Sequence, residues 1–308
     1  NAMEAPTPIS AFLHSATMVK AGIYLLSRFY PILGEHPAWG YIVIGLGMTT
    51  MIAGGLLSLR AYDLKAILAY GTISQLGLIV TFLGYGGQEA IIGSTLHLYN
   101  HAAAKAAMFM IVGIIDHETG TRDVRLLDHL ARRMPRAHIL AVLAAISLIG
   151  IPPMGGFLTK EMLYGVSIHP GGPGEWAAFW PWLTLAAGII TALYHLRFLG
   201  APFWTPAEGT SPKPGHDPST GFLAAPAILV ALAIAFGVAP GLIEGTFVAP
   251  AAEATLGGGG HLEFHLALWH GVNQPLVMSI ITVAAAGFLY WKLDWVSGIL
   301  DAVAEMWK

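Results

Sequence analysis

The chain contains no cysteine. That absence excludes a disulfide framework, thiolate metal sites and a cysteine nucleophile, and it leaves the redox compartment unmarked. Charge is scarce as well. Asp, Glu, Lys and Arg make up 11 % of the 308 residues, against roughly 25 % in an ordinary soluble domain. Beside 55 % hydrophobic residues, that deficit points to a membrane protein. Net charge is −3 and no basic tail occurs, so nucleic acid is not an expected partner. The opening NAMEAPTPIS has neither methionine at position 1 nor a charged segment leading to a cleavage site, which reads as a fragment or a processed chain. Gly-rich runs such as GLGMTTMIAGG suit close helix packing and lack phosphate-loop spacing.

Long apolar runs are what the sequence does have. A spanning helix takes about 20 mainly apolar residues, each adding 1.5 Å across a hydrocarbon core of roughly 30 Å. Eight stretches qualify: 9–33, 38–60, 64–86, 89–115, 137–168, 176–200, 221–249 and 275–292. The expected fold is all-α and polytopic, with about eight transmembrane helices. Arg60 and Lys65, then Arg122, Arg125, Arg132, Arg133 and Arg136, then Arg197 and Lys213 fall in even-numbered connections, and Lys292 follows the last span. Odd-numbered connections hold almost none, and Arg28, near the end of the first span, can snorkel. Because cytoplasmic loops hold the excess of Lys and Arg, both ends are expected in the cytoplasm. Lys65 beside Asp63 reads as an interfacial anchor, and the arginines from Arg122 to Arg136 as fixing topology.

Two shorter features stand out. HLEFHLALW, residues 261–269, alternates with period 2 and predicts a short extracytoplasmic strand. Its one face would carry His261, Glu263 and His265, which could hold a metal or form a solvated hairpin face. DWVSGILDAVAEMWK at the C-terminus is amphipathic and either lies along the interface or begins a further helix.

A charged residue at the centre of a span costs about 2.5 to 3.5 kcal/mol. Lys20, Lys105 and Lys160 all fall at such depth, together about 8 to 10 kcal/mol if turned to lipid. On the fourth span, HLYNHAAAKAAMF sets His97, His101 and Lys105 four residues apart. They advance only about 40° around a helix while climbing roughly 12 Å, and so form one polar stripe. Imidazole can take a proton on one nitrogen while giving one from the other, and lysine at low dielectric can release a proton at workable pH. Joined by water, such groups make a proton relay. A His-x-x-x-His pair also suits a metal or haem, but no third carboxylate or thiolate accompanies it and Lys105 would repel a cation. No metal or cofactor is expected. His14, in the first span, is either a further relay group or a core histidine.

The fifth span contains IGIPPMGGFLTKEM. Pro152 and Pro153 lack amide hydrogens and leave carbonyls near Leu148 and Ile149 without helical partners, while Gly155 and Gly156 loosen the backbone. A break at membrane depth is tolerated only when buried in protein or facing a wet cavity. Lys160 lies one turn beyond, an arrangement expected at an ion-handling site. Glu161 points roughly 100° away on a continuing helix and is a second-rank partner for it.

MEAPTPISAFLHSATMVKAGIYLLSRF, DLKAILAYGTISQLGLI, HLYNHAAAKAAMFMIVGIIDHETGTRD and GIPPMGGFLTKEM, in this order, resemble the antiporter-like subunits shared by respiratory complex I and Mrp-type cation/proton antiporters. VGIIDHETGTRDVR is closer to the large, A-type subunit of Mrp antiporters than to chain 5 of complex I. The resemblance implies inverted five-helix repeats, each with a discontinuous helix, of which one is expected in this chain. It implies that Lys160 is a terminal lysine exchanging protons with one side of the membrane, that His97, His101 and Lys105 are the central relay of a half-channel, and that His14 and Lys20 lie on a connecting helix. Residues 1–292 would then be the C-terminal part of the transmembrane domain, with 293–308 an appended or truncated helix and the first half-channel upstream. The implied function is proton movement coupled to Na⁺ export, as one component of a hetero-oligomeric antiporter in the cell membrane rather than an enzyme. A proton-pumping subunit of an NADH:quinone oxidoreductase is the alternative. A structural scaffold with its buried bases held in fixed salt bridges is a third reading.

Overall fold

The computed structural model describes residues 5–168, 178–258, 262, 264–293 and 295–299. Among these the fold is all-α. The first span comprises α1 (Thr7–Ser15), a 3₁₀ turn (Met18–Lys20) and α2 (Ala21–Leu33). There follow α3 (Pro37–Arg60), α4 (Leu64–Tyr85), α5 (Gly87–Thr119), the short α6 (Leu130–Arg133), α7 (Pro135–Ile149), α8 (Gly155–Ile168), α9 (Trp180–Phe203), α10 (Thr220–Val238), the single turn α11 (Gly241–Ile243), α12 (Ala249–Leu256) and α13 (Gln274–Trp291). Among the described residues seven segments are long and apolar enough to cross a membrane: Thr7–Leu33, α3, α4, α5, α9, α10 and α13. The remaining expected span, the fifth, is the pair α7 and α8, divided at the prolines. The chain is thus a multi-pass membrane protein.

Three expectations are corrected. The span expected over 221–249 ends at Val238, because Pro240 biases Ala239 out of the helical region (φ −134°, ψ 63°). The strand expected over 261–269 is irregular backbone among the described residues. No neighbouring edge pairs with it there, and its amides are met by carboxylates instead: Leu262 N donates to Glu253 Oε1 (3.1 Å) and Leu266 N to Glu244 Oε2 (3.0 Å). His261 and Glu263 lie outside the described residues. Lys65 is no exposed anchor, being 2 % exposed with Nζ donating to Ala5 O (2.5 Å). Residues 295–299 are helical, and the rest of the amphipathic C-terminus lies outside the described residues.

The helix α5 forms the centre. Its 33 residues reach roughly 50 Å, and α1, α4, α7, α8, α10 and α12 pack around it. Beside it α3 and α4 lie backbone to backbone. A Cβ on Gly54 would sit 2.6 Å from Ser74 N, one on Gly77 2.6 Å from Gly47 O, and one on Gly84 2.6 Å from Ile44 N. Small residues at such spacing let membrane helices approach closely. At one end the arginine-rich loops close on each other. Arg122 pairs with Asp63 (3.1 Å) and Asp116 (3.4 Å), and Arg136 with Asp217 (3.1 Å). Glu208 N donates to Arg125 O (2.9 Å) and Lys213 N to Thr119 O (2.9 Å). The Arg125 guanidinium beside Asp123 holds that carboxyl below its usual range. Arg197, which by sequence falls among the loop charges, is buried and donates to Ala61 O (2.6 Å) and Ser58 O (3.3 Å), neutralising the C-terminal end of α3.

Candidate functional site

The break between α7 and α8 builds one end of the site. Gly150, at φ 83°, stops α7 in the left-handed conformation glycine tolerates. The carbonyl of Ile149 is one of those the prolines leave without a helical partner, and Lys160 Nζ donates to it across 2.5 Å. Lys160 is 6 % exposed. Glu161 turns the other way, into a cavity of about 460 Å³ lined by Gln88, Glu89, His265, His270 and Asn273. The structure therefore separates Glu161 from Lys160, as the 100° offset on a helix requires.

One residue before Lys160 the site meets α5. Thr159 Oγ1 lies 3.0 Å from His97 Nδ1, and His97 Nε2 lies 3.0 Å from Gln75 Oε1 on α4. Gln75 Nε2 donates to the Tyr194 hydroxyl on α9 (2.9 Å), which donates to Gly71 O (3.3 Å). His97 is thus tied to three helices at once. The His97 and His101 rings stand 6.2 Å apart, so the stripe expected on α5 is present. His101 and Lys105 are 0 % exposed, and neither the two ring nitrogens nor Nζ has a hydrogen-bond partner among the described protein atoms. Lys105 Nζ sits 6.0 Å from the centre of the Tyr194 ring. Buried polar atoms in this position are normally satisfied by water.

The first span supplies the third element. Its interruption after Ser15 adds a second break to the one expected. Ser15 Oγ donates to Ala11 O and Thr17 Oγ1 to Phe12 O (3.2 Å), drawing the hydroxyls onto the helix backbone where it ends. Lys20 closes the 3₁₀ turn and donates from Nζ to Leu98 O on α5 (2.6 Å). His14 is buried and stacks on Phe109 (5.6 Å).

His195 on α9 is a member of the site that the sequence patterns above do not mark. It is 0 % exposed, packs 4.3 Å from the Tyr194 ring, and bonds Thr191 O through Nδ1 (2.8 Å). An ionisable residue inside an apolar span, in YHLRF, is the signal that could have found it. His101 lies within electrostatic reach of Lys20, His97, Lys105 and His195, and His195 within reach of Lys105 and Lys160. Lys20, His97, His101, Lys105, His195 and Lys160 therefore form one buried cluster of nitrogen bases drawn from four spans. Among the described residues no carboxylate forms an ion pair with Lys20, Lys105 or Lys160, which is contrary to the scaffold reading, and no set of metal-ligating side chains is present. Such a cluster can pass protons.

Residues 1–192 match the family model described as NADH:quinone oxidoreductase/Mrp antiporter, TM. The chain is 39 % identical to a putative antiporter subunit mnhA2 of Staphylococcus epidermidis, over 96 % of this chain and 40 % of that protein. It is 39 % identical to a probable K(+)/H(+) antiporter subunit of Rhizobium meliloti, over 95 % of this chain and 29 % of that one. Among solved structures, a chain of the Mrp complex from a Dietzia species superposes with a TM-score of 0.86 at 37 % identity, covering 97 % of this chain and 32 % of that chain. A chain of an archaeal membrane-bound sulfane sulfur reductase superposes with a TM-score of 0.69 at 25 % identity, over 83 % and 50 % of the two chains. This chain thus spans less than half the length of the antiporter relatives it matches.

Proposed function

The chain belongs to the NADH:quinone oxidoreductase/Mrp antiporter transmembrane family, and from that premise we propose that it is the proton-conducting part of the large subunit of a multisubunit Na⁺/H⁺ antiporter. Residues 1–292 act as a half-channel with its connecting helix, and other subunits and further regions of the large subunit supply the cation path. The observation that carries this reading is the cluster of buried bases Lys20, His97, His101, Lys105 and Lys160, the last beside a broken helix, with no carboxylate counter-ion on the three lysines among the described residues. A cation left unpaired at membrane depth is costly, and titration by a passing proton gives that cost a purpose. His195 belongs to the same cluster, while Glu161 with Glu89 faces a separate cavity where it can lower the barrier for cations approaching from outside. The relatives named as antiporter subunits favour antiport over a place in a quinone-reducing complex.

The arginine-rich end faces the cytoplasm in this reading, so protons move inward along the axis while Na⁺ leaves. Replacing Lys160 or Lys105 by Ala in the complete antiporter, reconstituted in vesicles, is expected to abolish cation-dependent proton movement, read with a pH-sensitive dye. Assembly, read by co-purification of the other subunits, is expected to persist. Wild-type exchange in both variants rules out the proposed route.

A further inference from the structure

The hydrogen bonds around His97 determine where its second proton sits. Gly71 O can only accept, so Tyr194 directs its single hydroxyl hydrogen there (3.3 Å). The Tyr194 oxygen then accepts from Gln75 Nε2 (2.9 Å), which turns Gln75 Oε1 toward His97 Nε2 (3.0 Å). An amide oxygen has no hydrogen to give. His97 therefore keeps a hydrogen on Nε2 in either protonation state, and the proton that comes and goes is the one on Nδ1.

Nδ1 faces Thr159 Oγ1 at 3.0 Å, and Thr159 Oγ1 also lies 3.0 Å from Gly156 O. The hydroxyl has one hydrogen for these two neighbours. With His97 neutral, the O–H donates to Nδ1. With His97 protonated, Nδ1–H donates to Oγ1 and the hydroxyl hydrogen turns to Gly156 O. Both states are fully hydrogen-bonded, and the heavy atoms need not move between them. Preorganisation of this kind removes the reorganisation cost of a proton transfer.

We propose that the Thr159 hydroxyl is the group through which His97 exchanges its Nδ1 proton with the Lys160 side of the axis. The inference rests on the transport reading above. In the forward step a protonated water on the Lys160 side delivers a proton to Oγ1. The Oγ1–H bond aimed at Nδ1 breaks as Nδ1–H forms, and the newly formed Oγ1–H turns to Gly156 O. One proton enters, one reaches the imidazole, and threonine stays neutral. Thr159 is suited by position, lying in the first turns of α8 directly before Lys160. The charged or titratable groups around His97 are Lys20 from the first span, Lys160 from α8, His101 on its own helix and His195 from α9 beside the Tyr194 branch, while α4 contributes the neutral Gln75.

The test uses the complete antiporter complex in vesicles, with Thr159→Val, Thr159→Ser, His97→Ala and Lys160→Ala compared at equal assembly across a pH series. Valine keeps the shape and removes the hydroxyl. Thr159→Val is expected to slow cation-dependent proton movement by about tenfold or more and to change its pH profile. Thr159→Ser is expected to stay within about twofold of wild type, with the wild-type profile. Should valine block assembly, Thr159→Ala carries the same prediction. A hydroxyl-free variant with wild-type rate and profile overturns the proposal, as does a serine variant as impaired as the valine one. If either result comes with an inactive Lys160→Ala, the transport reading survives. If Lys160→Ala and His97→Ala also exchange normally, the transport reading itself has failed.

Discussion

Lys105 states the residue-scale problem most plainly. It is 0 % exposed, and its Nζ has no hydrogen-bond partner among the described protein atoms, so its place is unfavourable for stability, a cost to which the proposed proton relay gives a purpose. Thermodynamics and function should then part company on substitution. Lys105→Met keeps the length and removes the buried amine, and it is expected to stabilise the assembled protein by about 1 to 3 kcal/mol, the usual penalty of a buried unsatisfied polar group, while abolishing exchange. Thermal unfolding of the detergent-purified complex measures the first effect and vesicle transport the second. A lower midpoint means the amine is structurally required. The α5 stripe was legible because His97, His101 and Lys105 recur every four residues of one helix. Gln75, Thr159, Tyr194 and His195 were not, because their bonds to that stripe join residues far apart in sequence on α4, α8 and α9, and helix periodicity carries no information across helices.

At the scale of elements, the two breaks differ in how they are written. Pro152, Pro153 and the glycines after them announce the gap between α7 and α8, even to the carbonyl of Ile149 that Lys160 takes. The gap after Ser15 has no proline or glycine and rests on hydroxyls turned back onto the helix, a preference weak enough to depend on tertiary setting. The α3–α4 pair was legible only as a tendency, since glycine-rich runs mark close packing without naming the partner. The structure identifies which glycines matter. Gly54→Leu places a side chain where even a Cβ would lie 2.6 Å from Ser74 N, and it is expected to cost about 3 kcal/mol or more, the scale of severe overpacking. Gly45→Leu, on the same helix with nothing within 4 Å of its would-be Cβ, is expected to leave stability within about 0.5 kcal/mol of wild type. Yield of folded protein and unfolding midpoints compare the pair. Equal losses would mean that the close α3–α4 approach at Gly54 does not set the outcome.

For the whole molecule, the question is which end faces which compartment, and the arginines argue it from two sides. Their count by loop follows the rule that cytoplasmic connections hold the excess of Lys and Arg. Their contacts agree, because the loops after α5 and after α9, which alternate crossing puts on one side, are bonded to each other through Arg125 O with Glu208 N and Thr119 O with Lys213 N. Sequence parity alone could have been satisfied by loops that never meet. The absence of cysteine from these 308 residues makes the orientation directly measurable, since no thiol of this stretch competes with one introduced and the unsubstituted protein sets the background. Thr210→Cys lies exposed in the arginine-rich end, and Val272→Cys stands at a position 84 % exposed between α12 and α13. In intact cells a membrane-impermeant maleimide is expected to label the Val272→Cys variant and to spare Thr210→Cys until the membrane is opened. The reverse pattern turns the proposed proton path around, so that Lys160 and the Glu161 cavity would open toward the cytoplasm and the arginine-rich end toward the outside.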